Sequence, residues 1–244
     1  MFPYAQTNLQ LYRQLAAEGY AAAEIGSVAG AYEVGLGLFP GTYRGSGKPF
    51  LAHLVGTASV LASLRARTPV VVTGLLHAVY THGEFGNGWR GMSDSKRAEI
   101  RRAVGEEVEE LIARYTRLLW QRRTIPEIRA RLDTMTPTER DVLLVRLANE
   151  LEDHLDLGIL YLADVERRRE FMHAALPAAV EMAERLGFPA LAKSLTEALA
   201  DIAGAQVATG LRRGDAESIR ISFASHRLRL RVAMSHLIAR RPWR

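Results

Sequence analysis

Three polar features interrupt helical segments that are otherwise apolar, and these are the places where the chain can do chemistry. They are His53 in Phe50-Leu51-Ala52-His53-Leu54-Val55, His77 in Gly74-Leu75-Leu76-His77-Ala78-Val79, and the group Asn149-Glu150…Asp153. An imidazole taken out of water without a partner is costly, so each histidine implies a designated hydrogen-bond or ligand partner. A single histidine on a buried helix is usually a satisfied core residue. Two on successive helices, followed by a polar cluster on a third, point to a pocket. With an ordinary pKa near ~6.5, either imidazole suits general acid or base work, and Asn149 can orient a group by hydrogen bonding. Arg44, in the polar loop ahead of His53, offers a planar fork to a phosphate or carboxylate. We therefore expect His53, His77 and Asn149 to be catalytic, and Arg44, Lys48, Tyr80, His82, Glu84 and Asp153 to contact a substrate.

The elements that must position these residues read as helices. Helical periods dominate, and strand alternation is nearly absent before residue 215. Opening helices are expected at Asn8–Glu18 and Ala21–Phe39, with Phe39-Pro40-Gly41 as a breaker. The glycine-rich loop 43–49 leads into a helix through Leu64, and a second buried helix is expected from about Pro69 to Thr81. The segment His82–Gly88 holds three glycines, too many for a regular helix, and forms a loop able to close over a ligand. Ser95–Trp120 reads as one amphipathic helix, with Tyr115 and Trp120 as packing residues. Thr136 and Glu139 form a capping-box pattern ahead of a long buried helix over Val142–Leu162, followed by helices at Val165–Leu186 and Pro189–Ala205. After Gly214 the apolar residues fit either a strand or a helix, and the helical surroundings favour helix. The expected fold is all-α: one helical domain over residues 1–210 and a basic C-terminal extension over 211–244.

Composition narrows the function classes. At 244 residues and 48% hydrophobic, the chain can bury a large core. It has no cysteine, which removes disulfides, thiolate-zinc sites, iron–sulfur clusters and cysteine nucleophiles, so any metal must be held by His, Asp or Glu. The net charge of +5 sits in the tail: from Arg212 onward nine arginines face Asp215 and Glu217, which leaves the body at −2. A nucleic-acid partner is therefore not expected, while the apolar residues among the tail arginines, Leu228, Leu230, Val232, Leu237 and Ile238, suit a homodimer. The longest uncharged stretches, Pro49–Leu64 and Thr68–Gly83, hold 16 residues each, short of the ~20 that span a bilayer, so no membrane partner is expected. The N-terminus shows no secretory signal pattern, and a cytoplasmic location is expected.

The order Tyr43-Arg44-Gly45-Ser46-Gly47-Lys48-Pro49-Phe50…His53, then Gly74–Val79, then Val104-Gly105-Glu106-Glu107-Val108, then Arg146-Leu147-Ala148-Asn149-Glu150-Leu151 resembles an HD-superfamily domain. It is nearest to the alarmone-hydrolase domain of the RelA/SpoT type, over about residues 40–200. The resemblance implies an Arg at 44 and metal-ligating histidines at 53 and 77, with two aspartates completing a site for a divalent ion, usually manganese. Here Ala78 stands at the place of the first aspartate and Asn149 at that of the second. Thr81 and His82 stand where two further acids serve hydrolysis. Oxygen-preferring ions need carboxylates, so no metal or other cofactor is expected. The alternative is a divalent metal at His53, His77 and a nearby carboxylate, supplied by Glu84, Glu150 or Asp153, or by His82 as a third imidazole. Of these Glu150 is disfavoured, because it lies one helical step, about 100°, from Asn149.

Three readings stay open. The first is an HD-like enzyme with a degenerate metal site, acting on a small polar substrate by metal-independent acid–base chemistry. The second is a non-catalytic small-molecule-binding module, and the third a metal-dependent phosphohydrolase with replacement ligands.

Overall fold

The computed structural model describes residues 4–86, 88–212 and 218–220. As expected, the fold is all-α. Helix α1 (Asn8–Ala17) starts at Thr7, whose side chain accepts from the backbone of Gln10 while the Gln10 side chain returns to the cap. Helix α2 (Ala22–Leu38) ends ahead of Pro40, and a three-residue strand β1 (Thr42–Arg44) follows. Helix α3 (Phe50–Ser63) begins directly after Pro49, and α4 (Thr68–Leu76) takes Pro69 into its first turn, where a missing N–H costs nothing.

The buried segment expected as one helix over Pro69–Thr81 breaks at His77-Ala78, and a short helix α5 (Val79–His82) resumes beyond it. The Gly74 carbonyl accepts a hydrogen bond from the His77 ring at 2.8 Å, so the side chain takes the acceptor that a continuing helix would use. The segment expected as one helix over Ser95–Trp120 is also two: α6 (Asp94–Val104) and α7 (Glu106–Arg117). Between them Gly105 sits at φ +89°, a conformation open to glycine and strained for other residues.

A short helix α8 (Ile125–Ala130) leads to α9 (Pro137–Leu155), which starts at the expected Thr136–Glu139 capping box. It ends seven residues before the expected Leu162, because Leu157 turns left-handed at φ 57° and starts a 3-10 turn at Gly158–Tyr161. Helices α10 (Val165–Arg185) and α11 (Pro189–Gly204) pair with each other.

Helix α9 is central, packed against α3, α4, α7 and α11. Its Leu143, Val145, Leu147, Ala148 and Leu151 are fully covered, and each large aliphatic side chain so buried contributes roughly 1.5–3 kcal/mol. The core is one continuous cluster running from Ala5 to Ile202. The helix reading of the tail is overturned where the tail is described: Ser218–Arg220 is a strand, β2, antiparallel to β1, with Arg44 opposite Ser218. The extension expected to begin at residue 211 therefore joins the body beside the loop that carries Arg44. The tail residues expected to support a homodimer, Leu228 to Ile238, lie outside the described residues. No helix among the described residues is long and apolar enough to cross a membrane.

Candidate functional site

The three polar interruptions meet. Helix α3 supplies His53, the break after α4 supplies His77, and the last two turns of α9 supply Asn149, Glu152 and Asp153. The Nε2 atoms of His53 and His77 lie 3.4 Å apart, and both rings are buried. Strand β1 and its loop deliver two cations to the same place. Arg44 Nη2 donates to Asp153 Oδ1 at 2.5 Å, and its Nη1 lies 3.2 Å from His53 Nε2. Lys48 pairs with Glu152 and, at 3.2 Å, with Asp156. Glu152 also meets His53 Nδ1, and Asn149 Nδ2 donates to Asp153 Oδ2 at 3.3 Å.

The hydrogen-bond partners set the tautomer of His77, and that of His53 together with the charge on Glu152. A carbonyl only accepts, so His77 carries its proton on Nδ1, against Gly74, and its Nε2 keeps a lone pair. A guanidinium only donates, so His53 accepts from Arg44 at Nε2 and donates from Nδ1 to the Glu152 carboxylate. With Glu152 ionised, two imidazole lone pairs face each other with no proton between them, and Arg44 supplies the positive charge beside them.

Burial, and after it the Arg44 charge, holds His53 well below the usual imidazole range. Burial and the adjacent His53 do the same to His77, so both rings are neutral at pH 7. Burial alone would raise Asp153, but the Arg44 guanidinium holds its carboxyl well below the usual carboxylate range. Burial pushes the Glu152 carboxyl up to about 8, against the pull of Lys48. With a proton on Glu152, His53 accepts at Nδ1 and turns an Nε2–H toward His77; without it, His53 donates from Nδ1 and accepts from Arg44. A proton on Glu152 thus reverses the polarity of His53 at Nε2.

A cavity of about 380 Å³ opens over this cluster. Of the residues expected at the site, Arg44, Lys48, His53, His82 and Asp153 line it. His77 and Asn149 are not among them; they contact His53 and Asp153, which are. Tyr80 and Glu84 are not among the described residues that line it. Tyr80 points away from the cavity and donates to Glu109 Oε1 at 2.9 Å, within a cluster that also holds Arg97 and Arg101. The backbone N–H of Glu84 donates to the Leu38 carbonyl at 2.8 Å.

Glu150, disfavoured as a metal ligand, is outside the group of possible metal ligands but lines the cavity, its carboxylate paired with Arg146 and His154 one turn to either side. Although burial pushes it up, the Arg146 charge pulls the Glu150 carboxyl below its usual value. Sequence reasoning also missed Glu152. A signal was present: Gly56 stands alone in the fully buried middle of α3, which implies that a neighbour needs the room a side chain would fill.

His53, Glu152 and Asp153 each place a ligand atom within 4.8 Å of the others and form a group that could hold a metal ion, so the expectation of none has no support. Compared with known proteins, no curated protein matches the chain. Residues 39–118 match the family described as Domain of unknown function (DUF6817), a stretch that holds Arg44, Lys48, His53 and His77 but not the α9 residues that complete the site.

Proposed function

We propose that the chain binds a small polar molecule, phosphorylated or carboxylated, in this cavity and acts on it by metal-independent acid–base chemistry centred on His53. The observation that carries this reading is the His53 ring on the cavity wall, held between Glu152 at Nδ1 and Arg44 at Nε2. Glu152 is the proton store behind the imidazole. As the Glu152 proton passes to Nδ1, Nε2 gives up its own proton to a bound molecule, and in the reverse step Nε2 takes a proton from the molecule while Nδ1 returns one to Glu152. Arg44, partly exposed at the rim, exchanges Asp153 for an anionic group of the ligand and so uncovers Nε2. Positioned acid–base groups of this kind contribute ~10²–10⁴-fold in rate. The order Arg44, His53, His77 and a polar cluster on a later buried helix supports an HD-like reading of the helical body.

One observation favours a second reading, the metal-dependent one. Two nitrogens bound at ~2.0–2.1 Å to one tetrahedral zinc stand about 3.3–3.4 Å apart, the spacing of the two Nε2 atoms. With Glu152 ionised their lone pairs face each other, and each Nδ1–H is anchored on an acceptor, the second-sphere arrangement of metal-bound histidine. His53 and His77 would hold such an ion together with a carboxylate brought to it once Arg44 swung away, and the ion would supply Lewis-acid polarisation of a substrate oxygen.

A panel of small phosphorylated and carboxylated compounds, followed by ³¹P and ¹H NMR with and without chelator, tests both. Conversion that resists chelator and falls ~10²-fold or more in His53→Gln supports the first reading. Conversion abolished by chelator overturns it in favour of the second. Saturable binding without conversion overturns both and leaves a non-catalytic binding module.

A further inference from the structure

The loop between β1 and α3 is a tight turn that sends two cations to one place. The Arg44 N–H donates to the Lys48 carbonyl and the Gly47 N–H to the Arg44 carbonyl, each at 2.8 Å, while Tyr43 bridges to Pro49. Gly47 closes the turn at φ +92°, a conformation that suits glycine. Arg44 and Lys48 thus stand opposite each other at its mouth, and both reach α9: Arg44 to Asp153, Lys48 to Glu152 and Asp156. A cation that leaves a buried pair uncovers its partner, so the place of this turn decides whether three carboxylates keep their counter-charges.

The two arms of the turn are secured differently. Pro49 runs straight into α3, whose first residue, Phe50, is buried and stacks on Phe39 at 5.0 Å between ring centres. The other arm, β1, has three residues, and so short a strand with one neighbour is marginal by itself. Strand β2 supplies a second neighbour. Thr42, Tyr43 and Arg44 pair with Arg220, Ile219 and Ser218, and among the described residues β2 is the one named strand paired with β1. Arg44 spends its backbone N–H and C=O on the turn. Backbone groups alternate sides along an antiparallel strand, so Tyr43 offers its own pair to Ile219 on the opposite edge.

We propose that β2 is a latch: by pairing with β1 it holds the Arg44–Lys48 turn, and both cations with it, against Asp153, Glu152 and Asp156. Ile219 is then a positioning residue, acting on the site through the backbone of Tyr43 and the turn beyond it. The inference rests on the acid–base reading only for the use made of Arg44 there; the place of the turn does not depend on that chemistry.

Ile219→Pro removes the N–H that faces Tyr43 and changes no residue of the cavity wall. Hydrogen exchange of the full chain, resolved by peptide mass, compares it with the parent. Residues 42–48 are expected to exchange at least about tenfold faster, the scale of one or two lost hydrogen bonds, while residues 142–151 of α9 keep the parent rate. Arg44 should become more reactive toward phenylglyoxal, a dicarbonyl that attacks guanidinium groups, while Arg67, paired with Glu107 and Asp141, stays as it was. Ile219→Gly keeps the N–H and only weakens the strand, and is expected to fall between the two; Ile219→Val should match the parent. Unchanged exchange at residues 42–48 would overturn the proposal, since β2 then holds nothing. Faster exchange with Arg44 no more reactive would overturn it as well, because the cation does not follow the strand. So would equal acceleration of α9 in Ile219→Gly, the milder variant, which would make β2 a support of the whole fold. Neither readout involves turnover, so failure of the latch and failure of the acid–base reading are separate results.

Discussion

A side chain at position 56 would collide with Glu152: a Cβ built on Gly56 stands 2.5 Å from Glu152 Oε1 and 2.7 Å from its Cγ. Contacts this short are not tolerated, so the carboxylate that pairs with Lys48 and His53 can occupy its place only because α3 has no side chain there. The relationship links a backbone choice on one helix to proton chemistry on another.

Gly56→Ala is therefore expected to destabilise the fold by roughly 1–3 kcal/mol, the scale of overpacking, although alanine is the better helix former by about 1 kcal/mol. In a Glu152→Ala background the same substitution is expected to be neutral or stabilising, because the colliding atoms are gone and only helix propensity remains. Urea denaturation of the four variants of this cycle measures the coupling. A destabilisation of equal size in both backgrounds would show that Gly56 serves some neighbour other than Glu152.

Acid sensitivity is expected to come from Glu109. Its side chain is fully buried and accepts from Arg97, Arg101 and Tyr80. Burial by itself raises its pKa, but Arg97 and the other donors bring the carboxyl below its ordinary value. A carboxyl with a lowered folded pKa stabilises the fold fully above its unfolded value, near ~4.3, and loses that contribution as pH falls through the folded value. Melting temperature should accordingly drop on acidification from about pH 5. Glu109→Gln should be less stable at neutral pH, with its arginines unpaired, yet lose less stability between about pH 5 and 3. Parallel curves for the two proteins would rule out Glu109 as the acid-sensitive group.

Asn149→Asp tests whether the polar floor tolerates one more charge. Asn149 now donates to Asp153, while its own Oδ1 has no partner among the described residues. The substitution replaces that donor with a second carboxylate in a buried place, and is expected to cost roughly 1–3 kcal/mol. Added zinc or manganese should restore part of the lost melting temperature in Asn149→Asp, and more in the double variant with Ala78→Asp, while moving the parent less. Equal metal-induced shifts in parent and variants would remove residues 78 and 149 from any metal site.

The sequence determined the helical body and the candidates for its centre. Periodic apolar residues specify helices wherever the pattern is long, and capping residues such as Thr136 with Glu139 set their starts, because both signals act over a few neighbouring residues. The pairing of His53 with His77 was legible for the same reason: a polar residue in a buried helix must have a partner. Tertiary structure decided what those partners are. Tyr80 and Asp153 look alike in sequence, each a polar residue on or next to a buried helix, yet one turns to Glu109 and the other to Arg44, which depends on how the helices rotate against one another. Glu152 was hidden because a charge on a helix ordinarily faces water, and only the approach of the Lys48 loop and the Gly56 gap makes its burial affordable. The strand at Ser218–Arg220 lay beyond local reading altogether. Its apolar residues fit two periods equally, and the choice between them was made by hydrogen bonds to Thr42–Arg44, more than 170 residues away in the chain.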